Sequence, residues 1–220
     1  MRLAIFDFDG TLCATHEAIT YCMQRTFAEF GEPIPEPAAV YTTISAGIGL
    51  DDSIRRLSQT GLELGQGEIT AWVTQYRAIY NSGEGQARTY LFEGVTELFE
   101  RLSAQQIPTV IVSNKGSVAV RAAVDRFGLS KHLALLVCDA PNLPRKPDPD
   151  LFKKLIEPAF PSIRGEDIWV VGDTKVDITF ARNIGARSCW VSWGYGDASE
   201  CRALSPHVVA DHPTDVAKLF

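Results

Sequence analysis

Four short stretches of the chain are apolar or nearly so: Leu3-Ala4-Ile5-Phe6, Thr109-Val110-Ile111-Val112, Ile168-Trp169-Val170-Val171 and Ser188-Cys189-Trp190-Val191. Continuous runs of this length predict strands buried on both faces of a parallel sheet. Leu135-Leu136-Val137 and His207-Val208-Val209 are weaker runs of the same kind. Between them the apolar spacing is helical: Val95, Leu98, Phe99 and Leu102 follow i, i+3, i+4, i+7, as do Val120, Ala123, Val124 and Phe127. Asp148-Pro149 reads as an N-cap with proline at the first helical position, opening a helix that carries Leu151, Phe152 and Leu155. Strand alternating with helix predicts an α/β fold, a Rossmann-like parallel sheet with helices on both faces.

The alternation stops between about Cys13 and Arg88, where every pattern is helical. One predicted helix carries Ile19, Cys22, Met23, Phe27 and Phe30; another carries Ile69, Trp72, Val73, Tyr76 and Tyr80. Gly31 to Pro37 breaks the first, and Asn81-Ser82-Gly83-Glu84-Gly85 ends the last and reads as a hinge or linker. The expected organisation is therefore a core of residues 1–13 and 89–220 with an all-helical domain, residues 14–88, inserted after the first strand. A chain of 220 residues suits that arrangement.

Composition narrows the function classes. At 45% hydrophobic and 22% charged, the chain is that of an ordinary globular protein, neither disordered nor fibrous. A net charge of −6 argues against nucleic acid as the main partner, because phosphate backbones need a clustered basic surface. The apolar runs are too short to span a membrane. Asp7 and Asp9 sit where the apolar region of a signal peptide would be. Cys13, Cys22, Cys138, Cys189 and Cys201 are odd in number and scattered, as expected of reduced thiols in a cytoplasmic protein.

In open α/β sheets, ligands bind at the carboxyl ends of the strands. Asp7-Phe8-Asp9-Gly10-Thr11 follows the first strand, Ser113-Asn114-Lys115-Gly116 follows Val112, and Gly172-Asp173-Thr174-Lys175-Val176-Asp177 follows Val171. Arg145-Lys146-Pro147 precedes the helix near Asp148. Singly, each has an ordinary explanation as a turn, a helix cap or a surface lysine. Together, and in order at strand ends, they predict one cleft. Asp7, Asp9, Asp173 and Asp177 in one cleft require protons or a cation among them, and a hard cation with oxygen ligands, Mg2+, is the natural partner. A lysine and turns rich in N–H groups beside such a cation favour a bound phosphate.

These motifs resemble those of the haloacid dehalogenase superfamily, and are most similar to its phosphoglycolate-phosphatase-like branch. Asp7-Phe8-Asp9-Gly10-Thr11-Leu12 matches the first motif, Ser113 the second, Lys146 the third, and Gly172-Asp173 through Asp177 the fourth. Val112-Ser113-Asn114-Lys115, Phe92-Glu93-Gly94-Val95 and Trp193-Gly194-Tyr195-Gly196 also look like this branch. The insertion resembles the family's helical cap, and Gly47 to Ser53 its specificity segment. One departure stands out. The family usually continues its first motif with an aspartate and a serine, where this chain has Ala14 and Thr15.

The resemblance implies a Mg2+-dependent phosphatase acting on a small phosphorylated metabolite, such as 2-phosphoglycolate or a sugar phosphate. Asp7 would be the nucleophile and form an aspartyl-phosphate, splitting one hard hydrolysis into two steps. Asp9 would protonate the leaving alcohol and then activate water. The metal would be held by Asp7, the backbone carbonyl of Asp9 and Asp173, with Asp177 and Thr11 supporting that shell. Ser113 and the Asn114 N–H would hold phosphoryl oxygens, and Lys146 would offset their charge during transfer. An acid at Asp9 favours phosphoryl transfer over dehalogenation, since a leaving halide needs no proton. An inorganic pyrophosphatase, a phosphomutase and a non-catalytic phosphate-binding or signalling module are the alternatives, and a monomer or homodimer is expected. His16, His132, His207 and His212 lack metal-binding spacing. Arg55 and Arg56 are weaker candidates for meeting an anionic substrate, and Trp72 and Tyr76 read as helical-domain core.

Overall fold

A computed structural model describes residues 2–59 and 64–220; Met1 and residues 60–63, which fall inside the expected domain ranges, lie outside the described residues. Six parallel strands form the central sheet: β1 (Leu3–Phe6), β4 (Thr109–Gly116), β5 (Leu135–Asp139), β6 (Ile168–Gly172), β7 (Arg187–Val191) and β8 (Val208–Ala210). A separate antiparallel pair joins β2 (Cys13–Ala14) to β3 (Tyr90–Leu91). The sheet order is β5-β4-β1-β6-β7-β8. After β1 the chain builds outward through β4 and β5, then crosses to the other side of β1 for β6, β7 and β8. The order therefore reverses beside β1, which is where a ligand crevice forms in such sheets.

The uninterrupted apolar runs are explained by burial on both faces. Ala4 and Phe6 face one layer together with Ile111, Val171 and Phe99; Leu3 and Ile5 face the other with Val110, Val170 and Phe180. The first layer is closed by α6 (Val95–Ala104), α7 (Ser117–Arg126) and α11 (Pro213–Val216), the second by α8 (Asp150–Leu155) and α9 (Lys175–Asn183). A short α10 (Ala198–Ala203) packs Cys201 with Ile178 and Trp190.

Between β2 and β3 the chain is helical: α1 (His16–Glu29), α2 (Pro37–Ser45), α3 (Leu50–Leu57), α4 (Gln66–Ile79) and the single turn α5 (Gly85–Ala87). These helices build their own apolar cluster from residues such as Met23, Phe27, Ile54, Trp72 and Tyr76, joined to the rest of the molecule through Ala119 of α7. Trp72 stacks on Phe30 at 4.2 Å and meets the edge of Phe27 at 4.9 Å. Among the described residues no helix is long and apolar enough to cross a membrane.

One local expectation is refined and another revised. The segment after α4 forms a π turn, Tyr80–Glu84, that kinks at Gly83, where φ is +109°, before α5 begins. Tyr80 anchors it, its ring buried and its hydroxyl 2.9 Å from Thr89 Oγ1. The helix expected to start at Asp148-Pro149 begins at Asp150, with Pro149 as its N-cap. The Leu151 N–H closes back on the Asp148 carbonyl at 3.2 Å, a three-residue turn that delays the regular helix. Asp148 still caps, its Oδ1 accepting from the Asp150 N–H at 2.9 Å.

Candidate active site

The predicted segments do meet, at the carboxyl edge of β1, β4 and β6. Asp7 leaves β1 with its N–H still donating to the Val171 carbonyl at 2.9 Å. The chain then doubles back: the N–H groups of Leu12 and Cys13 both donate to the Phe8 carbonyl. Gly10 makes this possible, with φ at +79° and no room for a side chain: a Cβ there would lie 2.2 Å from Asp173 Oδ2. The turn thus brings the first motif against the fourth. Asp173 is fully buried, its Oδ1 accepting from Thr11 Oγ1 at 3.2 Å and its Oδ2 from the Tyr195 N–H at 2.7 Å. Asp177 lies in the first turn of α9 and closes a capping box, its Oδ2 accepting from the Thr174 N–H at 3.1 Å and from Thr174 Oγ1 at 2.9 Å.

Lys146 Nζ joins the two halves. It donates to Asp7 Oδ1 at 2.5 Å and to Asp177 Oδ1 at 2.7 Å, and is itself buried. Asn114 holds the backbone that carries it: its Nδ2 donates to the Lys146 carbonyl at 3.1 Å and its Oδ1 accepts from the Lys146 N–H at 3.0 Å. Ser113, at the end of β4, is buried and accepts from the Lys115 N–H at 3.2 Å.

The electrostatics are those of crowded carboxylates. Burial pushes Asp7 up to about 7, and Asp177 and Asp9 add to the rise while Lys146 opposes it. Burial also holds Asp173 well above the usual carboxylate range, reinforced by Asp7 and Asp177. For Lys146 burial works the other way, but Asp177 and Asp7 outweigh it and keep the ammonium charged. One carboxylate oxygen each of Asp7, Asp173 and Asp177 lie within 4.8 Å of one another. All-oxygen donors with more negative charge than a single lysine offsets fit a hard dication such as Mg2+. Both Asp177 oxygens already accept hydrogen bonds, from Lys146 and Thr174.

Asp7, Asp9, Ser113, Asn114, Lys146 and Asp177 all line one cavity of about 310 Å3 between the sheet edge and the helical insertion; Thr11 and Asp173 are buried and do not line it. Gly47, with φ at +67°, lets the insertion come close: a Cβ there would lie 2.9 Å from both Thr174 Oγ1 and Val176 Cγ2.

Sequence reasoning assigned no role to several residues here. Lys115 Nζ donates to Asp9 Oδ1 at 3.1 Å and sits 4.2 Å above the Tyr80 ring. Asp9 and Tyr80 outweigh its burial and hold its pKa well above the usual lysine range. Its place in Val112-Ser113-Asn114-Lys115 was the available signal. Asp139, at the end of β5, accepts from Arg77 of α4 at 2.6 Å and from Arg145 at 2.5 Å, and Arg145 reaches Asp51 of α3 at 2.8 Å. The Tyr195 hydroxyl accepts from the N–H groups of Thr15 and His16 at 2.6 and 3.2 Å, where α1 begins. Arg55 and Arg56 do not line the cavity; Arg55 donates to the Leu64 carbonyl at 2.7 Å. None of the four histidines lines it either.

A sequence model of the haloacid dehalogenase-like hydrolases matches residues 4–191. A phosphoglycolate phosphatase of Agrobacterium fabrum is 30% identical over 220 residues, covering 95% of this chain and 88% of that one. Phosphoglycolate phosphatase 1 of Pseudomonas aeruginosa is 25% identical, covering 98% of this chain and 78% of that one. Among solved structures, a predicted phosphoglycolate phosphatase from Haemophilus somnus superposes with a TM-score of 0.85 at 23% identity, covering 100% of this chain and 97% of that one. At that identity the likeness is one of fold.

Proposed function

The chain belongs to the haloacid dehalogenase-like hydrolases, and from that premise we propose that it is a phosphomonoester hydrolase for a small phosphorylated metabolite, working through an aspartyl-phosphate with Mg2+ as cofactor. The observation that carries this reading is the constellation around Asp7: Lys146 on its Oδ1 at 2.5 Å, Asp9 two residues on, and Asp173 and Asp177 within 4.8 Å. Relatives called phosphoglycolate phosphatases support the reaction class.

In this reading Asp7 attacks phosphorus and displaces the alcohol, which takes its proton from Asp9. Asp9 then removes a proton from water as that water attacks the acyl-phosphate, releasing phosphate and restoring Asp7. Asp7, the Asp9 carbonyl and Asp173 would hold the Mg2+, with Thr11 fixing Asp173 and Asp177 tied instead to Lys146 and Thr174. The metal would supply positive charge for the transferring phosphoryl group. Ser113, the Asn114 N–H and Lys146 bind the remaining phosphoryl oxygens, and residues 14–88 act as the cap that covers them. Asp9, an acid two residues after Asp7, favours this chemistry over dehalogenation, which protonates no leaving group.

The test is phosphate release from 2-phosphoglycolate, sugar phosphates, nucleotides and pyrophosphate, with and without Mg2+, by the wild-type protein and Asp7→Asn. Metal-dependent release that Asp7→Asn lacks is expected, at least about a thousandfold down. Substantial turnover by folded Asp7→Asn would remove Asp7 from the role of nucleophile. Preference for pyrophosphate, or isomerisation of a sugar phosphate without release, would identify a pyrophosphatase or a phosphomutase instead.

A further inference from the structure

Tyr195 lines the cavity but belongs neither to the acid cluster nor to the residues read as holding phosphate. It sits in a Gly-Tyr-Gly segment after β7 that lies hard against Asp173. A Cβ at Gly194 would lie 2.2 Å from Asp173 Cβ, and one at Gly196 would lie 2.1 Å from the Asp173 carbonyl oxygen. No side chain fits at either position, so the two glycines are what lets the segment approach. Between them the Tyr195 N–H donates to Asp173 Oδ2 at 2.7 Å. The Trp190 indole N–H holds the same aspartate by its backbone, donating to the carbonyl at 2.8 Å.

The other end of Tyr195 reaches the helical insertion. The first N–H groups of a helix have no partner within it. At the start of α1 the N-cap residue does not supply one: Thr15 has φ at −126° and ψ at −3°, outside the extended region a capping side chain uses, and makes no capping hydrogen bond. The N–H groups of Thr15 and His16 are met instead by the Tyr195 hydroxyl, 180 residues from Thr15, at 2.6 and 3.2 Å. The His16 ring meets the Tyr195 ring edge-on at 5.6 Å. Burial pushes the phenol up to about 12, so it stays an uncharged hydroxyl. Helix α1 in turn supplies Ile19 and Met23 to the cavity wall. One rigid ring thus stands between Asp173 and the helix that carries that wall.

We propose that Tyr195 is a positioning residue: with its N–H on Asp173 and its hydroxyl on the start of α1, it fixes the Ile19 and Met23 wall of the cavity over the carboxylates where the phosphoryl group transfers. This rests on the phosphomonoester-hydrolase reading above and deepens it. Tyr195 touches no reacting atom and acts through α1. The phosphate itself, which that reading gives to Ser113, Asn114 and Lys146, does not depend on its hydroxyl. A misplacement of about 1 Å in the groups around a reacting centre is enough to cost up to about a hundredfold in rate.

Tyr195→Phe removes the hydroxyl and keeps the ring and the N–H. With Mg2+ present, wild type and variant are compared by backbone hydrogen exchange, by calorimetric titration with inorganic phosphate, and by kcat and KM for the ester that the wild type hydrolyses best. Exchange in peptides from α1 is expected to quicken at least about tenfold, with β1 and β6 unchanged. We expect kcat to fall at least about tenfold while phosphate binds within about twofold of wild type. Unchanged exchange in α1 overturns the inference, and so does faster exchange with kcat unchanged, which would make the hydroxyl a helix cap and nothing more. Loosening that spreads to β1 and β6, or phosphate binding lost together with kcat, overturns it too, by placing the effect in the sheet domain. Each of these leaves the hydrolase standing. An α1 that loosens alone while the wild type hydrolyses no ester upholds the tie and overturns the hydrolase.

Discussion

Asn114 performs a task that its position in the chain does not announce. Sequence reasoning valued its backbone N–H as a phosphate donor; the side chain instead bridges the N–H and carbonyl of Lys146, thirty-two residues away. Replacing it with alanine leaves both backbone groups unpaired in a part-buried setting. We expect Asn114→Ala to lose about 1–3 kcal/mol of stability by urea denaturation. We also expect kcat to fall more than KM rises, because the ammonium that faces Asp7 loses its fixed support. An unchanged kcat would show that Lys146 is held by its carboxylates alone. Asp7, Asp9, Asp173 and Lys146 were legible because each stands at a strand end or beside a proline, where residue type and position speak together. Lys115 was not: its ion pair with Asp9 depends on how β4 and the first turn approach each other in space.

The same division holds for whole elements. The strands could be read because burial on both faces leaves an apolar run with no polar interruption, and β1 begins and ends where that run does. The segment around Asn81–Gly85 was legible as a break because glycine marks turns: Gly83 takes φ +109° and kinks the chain, while the buried Tyr80 anchors it. Packing also decides the stability of the helical insertion, whose helices are mostly too short to stand alone. Trp72 of α4 is the clearest case, nearly buried and in contact with both Phe27 and Phe30. Trp72→Ala is expected to cost about 3–5 kcal/mol in denaturant titrations. A loss under about 1 kcal/mol would mean that the cluster closes over the gap.

For the molecule as a whole, the carboxylate cluster is a source of instability when no metal is bound. The unfolded chain releases the Asp7 proton near the ordinary value of 3.8, whereas the folded chain holds it to about 7. The unfolded state therefore binds fewer protons across that interval, and this contribution to stability, full below about pH 4, is lost as the pH rises to about 7. Asp173 acts in the same direction. Asp51, held low by Arg145 against its partial burial, acts in the opposite one, its contribution being lost as the pH falls through the acid range. A dication among the carboxylates removes the penalty, so Mg2+ should raise Tm more at about pH 8 than at about pH 5. Melts with Mg2+ or with chelator at both values check this. Equal shifts would place the ion outside the cluster.

The ladder between Cys13–Ala14 and Tyr90–Leu91 has an evolutionary consequence. It brings together the two points at which the chain leaves the sheet domain and returns to it. Whatever lies between them starts and finishes at one fixed location, so it can be lengthened, trimmed or exchanged without shifting the strands that carry the acids. Loop-closure entropy grows only slowly with length, which makes such exchange thermodynamically mild. In the proposed reading, a change of leaving-group preference can then arise in one stretch of the gene while the residues around Asp7 keep their places.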